Sequence, residues 1–281
     1  ILTCGFLKYA ENFKDNINII EAGLFHQFDS TNVFKKNLST LIGYINFDHL
    51  AWLKNKTIDG IIHEKTTKLL NSNIFINQQY NREIYSKIKT SLINNTSNKY
   101  FYGKDFNILK AENGFIQYQD MLGEIILPEP NLLGDHQLGN ISTSIAVARK
   151  LFKVNDNHIK KGITKIRLKG RLQEIKSGKL KSLIGKNRLV IDGGHNIGAS
   201  IAISNWLKKE LTDILPGIEL LSIRTASCVT TKSESGFQFI DKFKNSDVYS
   251  CLVGDGQAAK SADEIGRIAA HRIFFGSVPR N

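Results

Sequence analysis

The chain has 281 residues, with 38 Lys and Arg against 26 Asp and Glu, a formal charge of +12 at pH 7 and 41% hydrophobic residues. That composition excludes a disordered or collagen-like chain, and the length suits roughly two domains at about 150 residues each. No stretch approaches about 18 consecutive apolar residues, so no membrane span is expected, and Cys4, Cys228 and Cys251, odd in number and far from His at ligand intervals, argue against a disulfide scaffold or a zinc site.

In chain order, residues 2 to 12 read as a helix and Ile17 to Ile20 as a buried strand ending at Glu21. Leu41 to Ile45 form a second apolar run, ending in Asn46-Phe47-Asp48-His49. A helix from Thr57 to Leu70, a strand at Ile74 to Ile76 and a helix near 80 to 93 follow. Phe115 to Tyr118 and Gly123 to Leu127 alternate in polarity and predict a hairpin around Met121-Leu122. Pro128 and Pro130 end it, and a helix runs from Gln137 to Phe152. Beyond a domain boundary near Ile166 the pattern changes to strands at 188 to 191, 218 to 223, 248 to 253 and 272 to 275, alternating with helices at 198 to 210, 235 to 244 and 262 to 270. Strands alternating with helices predict a mostly parallel sheet covered on both faces.

The positive charge invites a nucleic-acid reading, but Lys outnumbers Arg 29 to 9, the basic residues are dispersed, and no aromatics interleave with them as a stacking platform requires. The densest run, Lys160 to Arg171, reads as a solvated linker or as an anion-binding hinge. Neither nucleic acid nor membrane is expected as a partner. No basic segment followed by an apolar core marks a signal peptide, so a reducing cytoplasm is expected. The start at Ile1 rather than Met reads as a chain without its native beginning.

Open parallel sheets bind ligands at the carboxyl ends of their strands. Polar residues directly after apolar runs are therefore the candidates: Glu21 before Ala22-Gly23-Leu24, Asp48-His49, Asp135-His136-Gln137-Leu138-Gly139-Asn140, and Asp192-Gly193-Gly194-His195-Asn196. Singly, each is equally a cap or a hydrogen-bonded loop residue. Their order carries more. Glu21-Ala22-Gly23-Leu24, then Phe28-Asp29-Ser30-Thr31-Asn32, Asp48-His49, Glu64-Lys65, Gly134-Asp135-His136-Gln137 with Asn140, Gly170-Arg171-Leu172-Gln173 and Asp192-Gly193-Gly194-His195-Asn196 together resemble the folylpolyglutamate synthase/dihydrofolate synthase family of the Mur-ligase superfamily.

The resemblance implies an α/β fold: a Mur-ligase-like central ATPase domain over residues 1–166, incomplete at its N-terminus, and a smaller Rossmann-like C-terminal domain over 167–281. It implies a monomeric ligase dependent on ATP and Mg²⁺, which phosphorylates a folate or dihydropteroate carboxylate and lets the amine of L-glutamate attack the acyl phosphate. By the same resemblance Glu21, His49 and Lys65 are metal-side residues, with His49 and Lys65 also catalytic. The matching lysine is often carbamylated in the superfamily, which converts a cation into a carboxylate-like anion. Gln137, Asn140, Arg171, Asp192 and His195 are implied on the nucleotide side. Arg suits phosphate because its charge is permanent and its fork matches phosphate oxygens.

The sequence also departs from the family. No G-x-x-x-x-G-K-[ST] phosphate loop occurs in the 281 residues, and the family carries that loop upstream of the position of Ile1. Leu24-Phe25-His26-Gln27 stands where the family has Leu-Gly-Gly-Arg. Arg224-Thr225-Ala226-Ser227-Cys228 replaces a Gly-Met-rich strand end, with Lys232 retained, and Phe275-Gly276-Ser277 resembles the last strand. A cell-wall Mur ligase and an inactive or degenerate binding protein are the alternative readings.

Overall fold

The computed structural model describes residues 2–70 and 72–214, together with the short strands at 239–242 and 249–252. Two compact units are resolved by contact: Ile1–Pro130 with His136–Lys165, and Asn131–Asp135 with Ile166–Asn281. Among the described residues no helix is long and apolar enough to cross a membrane.

The first unit opens with α1 (Leu2–Ala10), on which Cys4 is exposed and unpaired. Its central sheet is formed by β1 (Ser39–Ile42), β2 (Asn73–Ile76) and β3 (Asn98–Phe101), all parallel, in the order β1-β2-β3. Parallel neighbours require crossovers, and these are α2 (Ile58–Thr66) and α3 (Arg82–Ser91). Thr57 starts α2 by accepting a hydrogen bond from the Gly60 N–H at 3.1 Å. Asn81 starts α3 by accepting from the N–H groups of Glu83 and Ile84. Ile74, Phe75 and Ile76 are all buried, as a central strand covered on both faces demands. Ile42, Ile61, Ile62, Ile74, Ile76, Ile84, Ile88, Leu92 and Phe101 form the core between sheet and helices.

A second sheet is an antiparallel meander of β4 (Phe106–Glu112), β5 (Phe115–Asp120) and β6 (Gly123–Pro128). Ile116, Tyr118 and Leu127 are buried, whereas Phe115 and Ile126 face solvent, the alternation of a half-covered sheet. α4 (His136–Leu151) packs on β4 and β2, and α5 (Asp156–Lys165) packs on β6 through Ile159 and Ile163.

In the second unit β7 (Gln173–Glu174) pairs antiparallel with β8 (Val190–Ile191), and α6 (Lys179–Leu183) lies between them in sequence. α7 (Ile197–Ile214) follows, then β9 (Phe239–Lys242) and β10 (Tyr249–Leu252), also an antiparallel pair. Arg188 joins the elements by binding Glu174 of β7 and Glu210 of α7.

Three sequence expectations are corrected. Ile17 to Ile20 form no strand: the segment has no ladder partner among the described residues, and Ile17 and Ile19 are 57% and 93% exposed. An apolar run becomes a strand only where a neighbour supplies hydrogen bonds, and β1 has none of the described strands on its outer side. The expected helix at 235 to 244 is strand β9 over Phe239–Lys242, where Phe239 and Ile240 sit in a local ladder with Cys251 and Leu252. In the second unit the ladders among the described residues are antiparallel, not parallel. The strands expected at 218 to 223 and 272 to 275, the helix at 262 to 270, and the segments around Arg224, Cys228, Lys232 and Phe275 lie outside the described residues.

Candidate functional site

In the first unit the loop after Glu21 is shaped by Asp29. Its Oδ2 accepts from the Leu24 N–H at 2.9 Å, and its Oδ1 accepts from the Thr31 N–H at 2.9 Å and the Thr31 hydroxyl at 2.6 Å. Burial alone would raise the Asp29 carboxyl. The hydrogen bonds from Thr31, Leu24 and Gly23 outweigh it and hold the group below the usual carboxylate range. The loop is fastened to α2 by the Gln27 N–H, which donates to the Glu64 carbonyl at 3.1 Å.

That fastening brings Phe25 to His49 and Lys65. The Phe25 and His49 rings meet edge to face, centroids 6.2 Å apart, and the Lys65 ammonium lies 5.9 Å from the Phe25 centroid. Phe25 and His49 both adopt left-handed backbone, φ 53° and 51°, which side chains enter at a cost of about 1–2 kcal/mol. Asp48 Oδ2 is 3.6 Å from His49 Nε2. Lys65 is half-buried, so its pKa is lowered by burial, with the Asp48 charge opposing the shift. His26 Nε2 and Gln27 Oε1, in the segment that departs from the family, are buried without a hydrogen-bond partner among the described residues. Glu21 is exposed on coil and makes no hydrogen bond or ion pair with the described residues. The structure thus brings His49 and Lys65 together, with Asp48 and Phe25, and gives Glu21 no direct tie to them. The Asp48 carboxylate fits a hard divalent cation, the His49 imidazole is an unusual ligand for one, and Lys65 as an ammonium does not fit and joins such a set only as a carbamate.

The second cluster lies where α4 crosses the end of β2. Asn77 directly follows β2, is 5% exposed, and continues the ladder by donating its N–H to the Ile42 carbonyl at 2.9 Å. Its Nδ2 donates to Asn140 Oδ1 at 2.7 Å, and Asn140 Nδ2 donates to Gln137 Oε1 at 3.0 Å. Gln137 is buried and Asn140 exposed. Gly139 permits the approach: a Cβ there would stand 3.0 Å from both Asn77 Oδ1 and Gln78 Oε1. The sequence reading singled out Gln137 and Asn140 but not Asn77, although Asn77-Gln78-Gln79 follows the apolar run Ile74 to Ile76 directly and meets the same strand-end rule.

In the second unit the two glycine motifs form one structure. The Gly193 N–H donates to the Gly170 carbonyl at 2.8 Å, and both carboxylate oxygens of Asp192 accept backbone N–H groups, Leu172 and Gly194, at 2.6 Å. Gly170 and Leu172 have left-handed φ of 67° and 42°. Asp192 therefore holds the turn. Arg171 is exposed beside it, 4.0 Å from where a Gly193 Cβ would stand, and exposed His195 places Nδ1 3.0 Å from the Gly193 carbonyl. Asn196 starts α7 by accepting from the Ala199 N–H at 2.8 Å.

No family model matches the sequence. A probable dihydrofolate synthetase of Schizosaccharomyces pombe is 23% identical over 199 residues, 69% of this chain and 45% of the relative. A dihydrofolate synthase/folylpolyglutamate synthase of Bacillus subtilis is 28% identical over 213 residues, with the same coverages of 69% and 45%. The chain thus spans about half the length of the curated relatives it matches. Among solved structures, a folylpolyglutamate synthase complex with AMPPCP and folate superposes with a TM-score of 0.63 at 20% identity, over 74% of this chain and 51% of that one. A Mycobacterium tuberculosis folylpolyglutamate synthase with ADP and AMPPCP superposes with a TM-score of 0.61 at 22% identity, over 74% and 47%. In sequence this chain is similar to dihydrofolate and folylpolyglutamate synthases, and in fold to folylpolyglutamate synthases, the resemblance that the order of its motifs suggested.

Proposed function

We propose that this chain supplies part of an ATP- and Mg²⁺-dependent amide ligase that joins L-glutamate to a folate or dihydropteroate carboxylate through an acyl phosphate. The observation that carries the reading is the fold shared with a synthase described with an ATP analogue and folate bound, on which this chain sets polar motifs after β1 and β2 and at the start of α4. The first unit is read as the ATPase domain, residues 1–166, and the second as the Rossmann-like domain, 167–281.

Within that reading each residue acts through its own chemistry. Asn140, backed by the buried Gln137 on the same side, offers its amide to the nucleotide, and Arg171 offers a permanent cation to phosphate. Asp192 fixes the turn that presents Arg171 and His195. Asp48 and His49 would hold a magnesium ion, with Glu21 reaching it through water and Lys65 as a carbamate, and the ion would supply neutralisation of phosphate charge. Lys65 is suited to carbamylation because burial favours its neutral amine, the form that reacts with carbon dioxide. Phosphoryl transfer needs charge stabilisation above all, and the 281 residues contain no Gly-Lys-Ser/Thr loop to supply it at the γ-phosphate. Each lost contact of that kind costs roughly 2 to 4 kcal/mol in the transition state.

The test is ATP- and glutamate-dependent extension of dihydropteroate or tetrahydrofolate. The 281-residue chain is expected to turn over many powers of ten more slowly than a version to which such a loop has been added. Robust turnover by the 281 residues alone would contradict this account of the site.

A further inference from the structure

We propose that Asn77 is a positioning residue that sets which way round the exposed amide of Asn140 faces a bound nucleobase; this rests on the nucleotide-side reading of Asn140 given above. The argument begins at a group that cannot change sign. The Gln78 backbone N–H is only a donor, and it donates to Asn77 Oδ1 at 2.7 Å. Asn77 must therefore turn its Nδ2 the other way, toward Asn140 at 2.7 Å. A donor there requires Asn140 to show its oxygen, so its nitrogen turns to Gln137 Oε1 at 3.0 Å. Three amides are put in one orientation by one peptide N–H.

Every alternative orientation sets like against like in a part-buried network, where an unpaired polar group on the buried Asn77 or Gln137 is costly. Asn77 and Gln137 are 5% and 3% exposed, so water cannot rescue a reversed amide. Thr143 supports the network without orienting it: its hydroxyl lies 3.0 Å from Asn77 Oδ1 and 2.9 Å from the Gly139 carbonyl, and its one proton serves either. The consequence appears at Asn140, which is exposed on α4 with one N–H and one oxygen lone pair not used by the described residues. A fixed donor and a fixed acceptor match a base edge with an exocyclic N–H beside a ring nitrogen, the pattern of adenine, and mismatch a base with a carbonyl at that position.

The test uses the full 281-residue chain, with ATP and ITP competing against a fluorescent adenine nucleotide. The unmodified protein is expected to prefer ATP. Asn77→Asp keeps the acceptor for the Gln78 N–H and removes the donor to Asn140, so the preference is expected to fall at least tenfold. Thr143→Val is expected to lower the melting temperature and leave the preference unchanged; a loss of preference in both variants, in proportion to lost stability, would mean a structural role only and overturn the proposal. Should Asn77→Asp fail to fold, the side-chain NH₂ resonances of the unmodified chain decide, assigned by their loss in Asn140→Asp. Protected, slowly exchanging Asn140 NH₂ protons support the relay, and exchange as fast as at exposed Asn98 overturns it. Protected protons without any nucleotide binding would overturn the nucleotide reading and leave the orientation of the amides standing.

Discussion

At the scale of single residues, Asp29 concentrates the most structure in one side chain, since its carboxylate fixes Leu24, Thr31 and the backbone between them. Its pKa is held below the usual range by those donors, so the folded protein binds its proton less well than the unfolded chain does. The stability it contributes is present above the unfolded carboxylate pKa and is lost as pH falls through the lower folded value. Asn at this position can accept from only one side. Asp29→Asn is therefore expected to cost about 1 kcal/mol at neutral pH, and the gap between the two melting temperatures should close in the acid limb. A gap independent of pH would show that shape rather than charge matters there. Strand-end polarity and motif order singled out His49 and Asp192, which the structure sets in the loops after β1 and β8, whereas Glu21, singled out by the same rule, follows no strand. The buried partner of Asn140 was not singled out, because Asn77 sits in a stretch rich in Asn and its contacts with Asn140 and Thr143 join segments far apart in the sequence.

Among the elements, the junction of α4 with the meander depends on a charge pair. Arg149 of α4 lies 3.1 Å from Asp120 of β5, with side chains only 10% and 9% exposed, and the Tyr118 hydroxyl donates to the same carboxylate at 3.0 Å. Removing one partner of a buried pair strands the other. Arg149→Ala is expected to lower stability by about 3 kcal/mol, measured by urea unfolding, whereas the double change Arg149→Met with Asp120→Leu should recover most of that loss. A small effect of Arg149→Ala would mean that water reaches the carboxylate. Helix periodicity found α1, α2, α3, α4 and α7 to within a few residues, since each has an apolar stripe with polar flanks. It misread Phe239–Lys242, where four residues satisfy both periods and the partner strand decides. β3 and β4 escaped notice because Asn98-Lys99-Tyr100-Phe101 and Phe106 to Glu112 mix charge with aromatics, and their burial comes from packing that no local pattern announces.

For the whole molecule, the proposed boundary at Ile166 has a direct consequence. Limited proteolysis is expected to cut first near 166 to 170 and to leave a folded fragment carrying β1 through α5, detectable by mass. First cleavage inside the meander would contradict a separable first domain. Only part of the second unit's proposed architecture was legible, since a short apolar run does not reveal whether its partner lies across a tight connection or beyond a helix.

The outer side of β1 has a practical bearing on the handling of this protein. Leu41 on that edge strand, Ile17 and Ile19 before it, and Phe28 and Trp52 in the flanking loops are all exposed. A strand edge without a partner among the described residues, in a unit with such exposed apolar side chains, is a template on which further chains can stack. Concentrated solutions of the 281-residue chain are expected to bind hydrophobic dyes and to form aggregates enriched in β structure. A single charge on that strand, Leu41→Lys, should raise the soluble fraction several-fold at equal expression, read by centrifugation and light scattering; unchanged aggregation would show that the adhesive surface lies elsewhere.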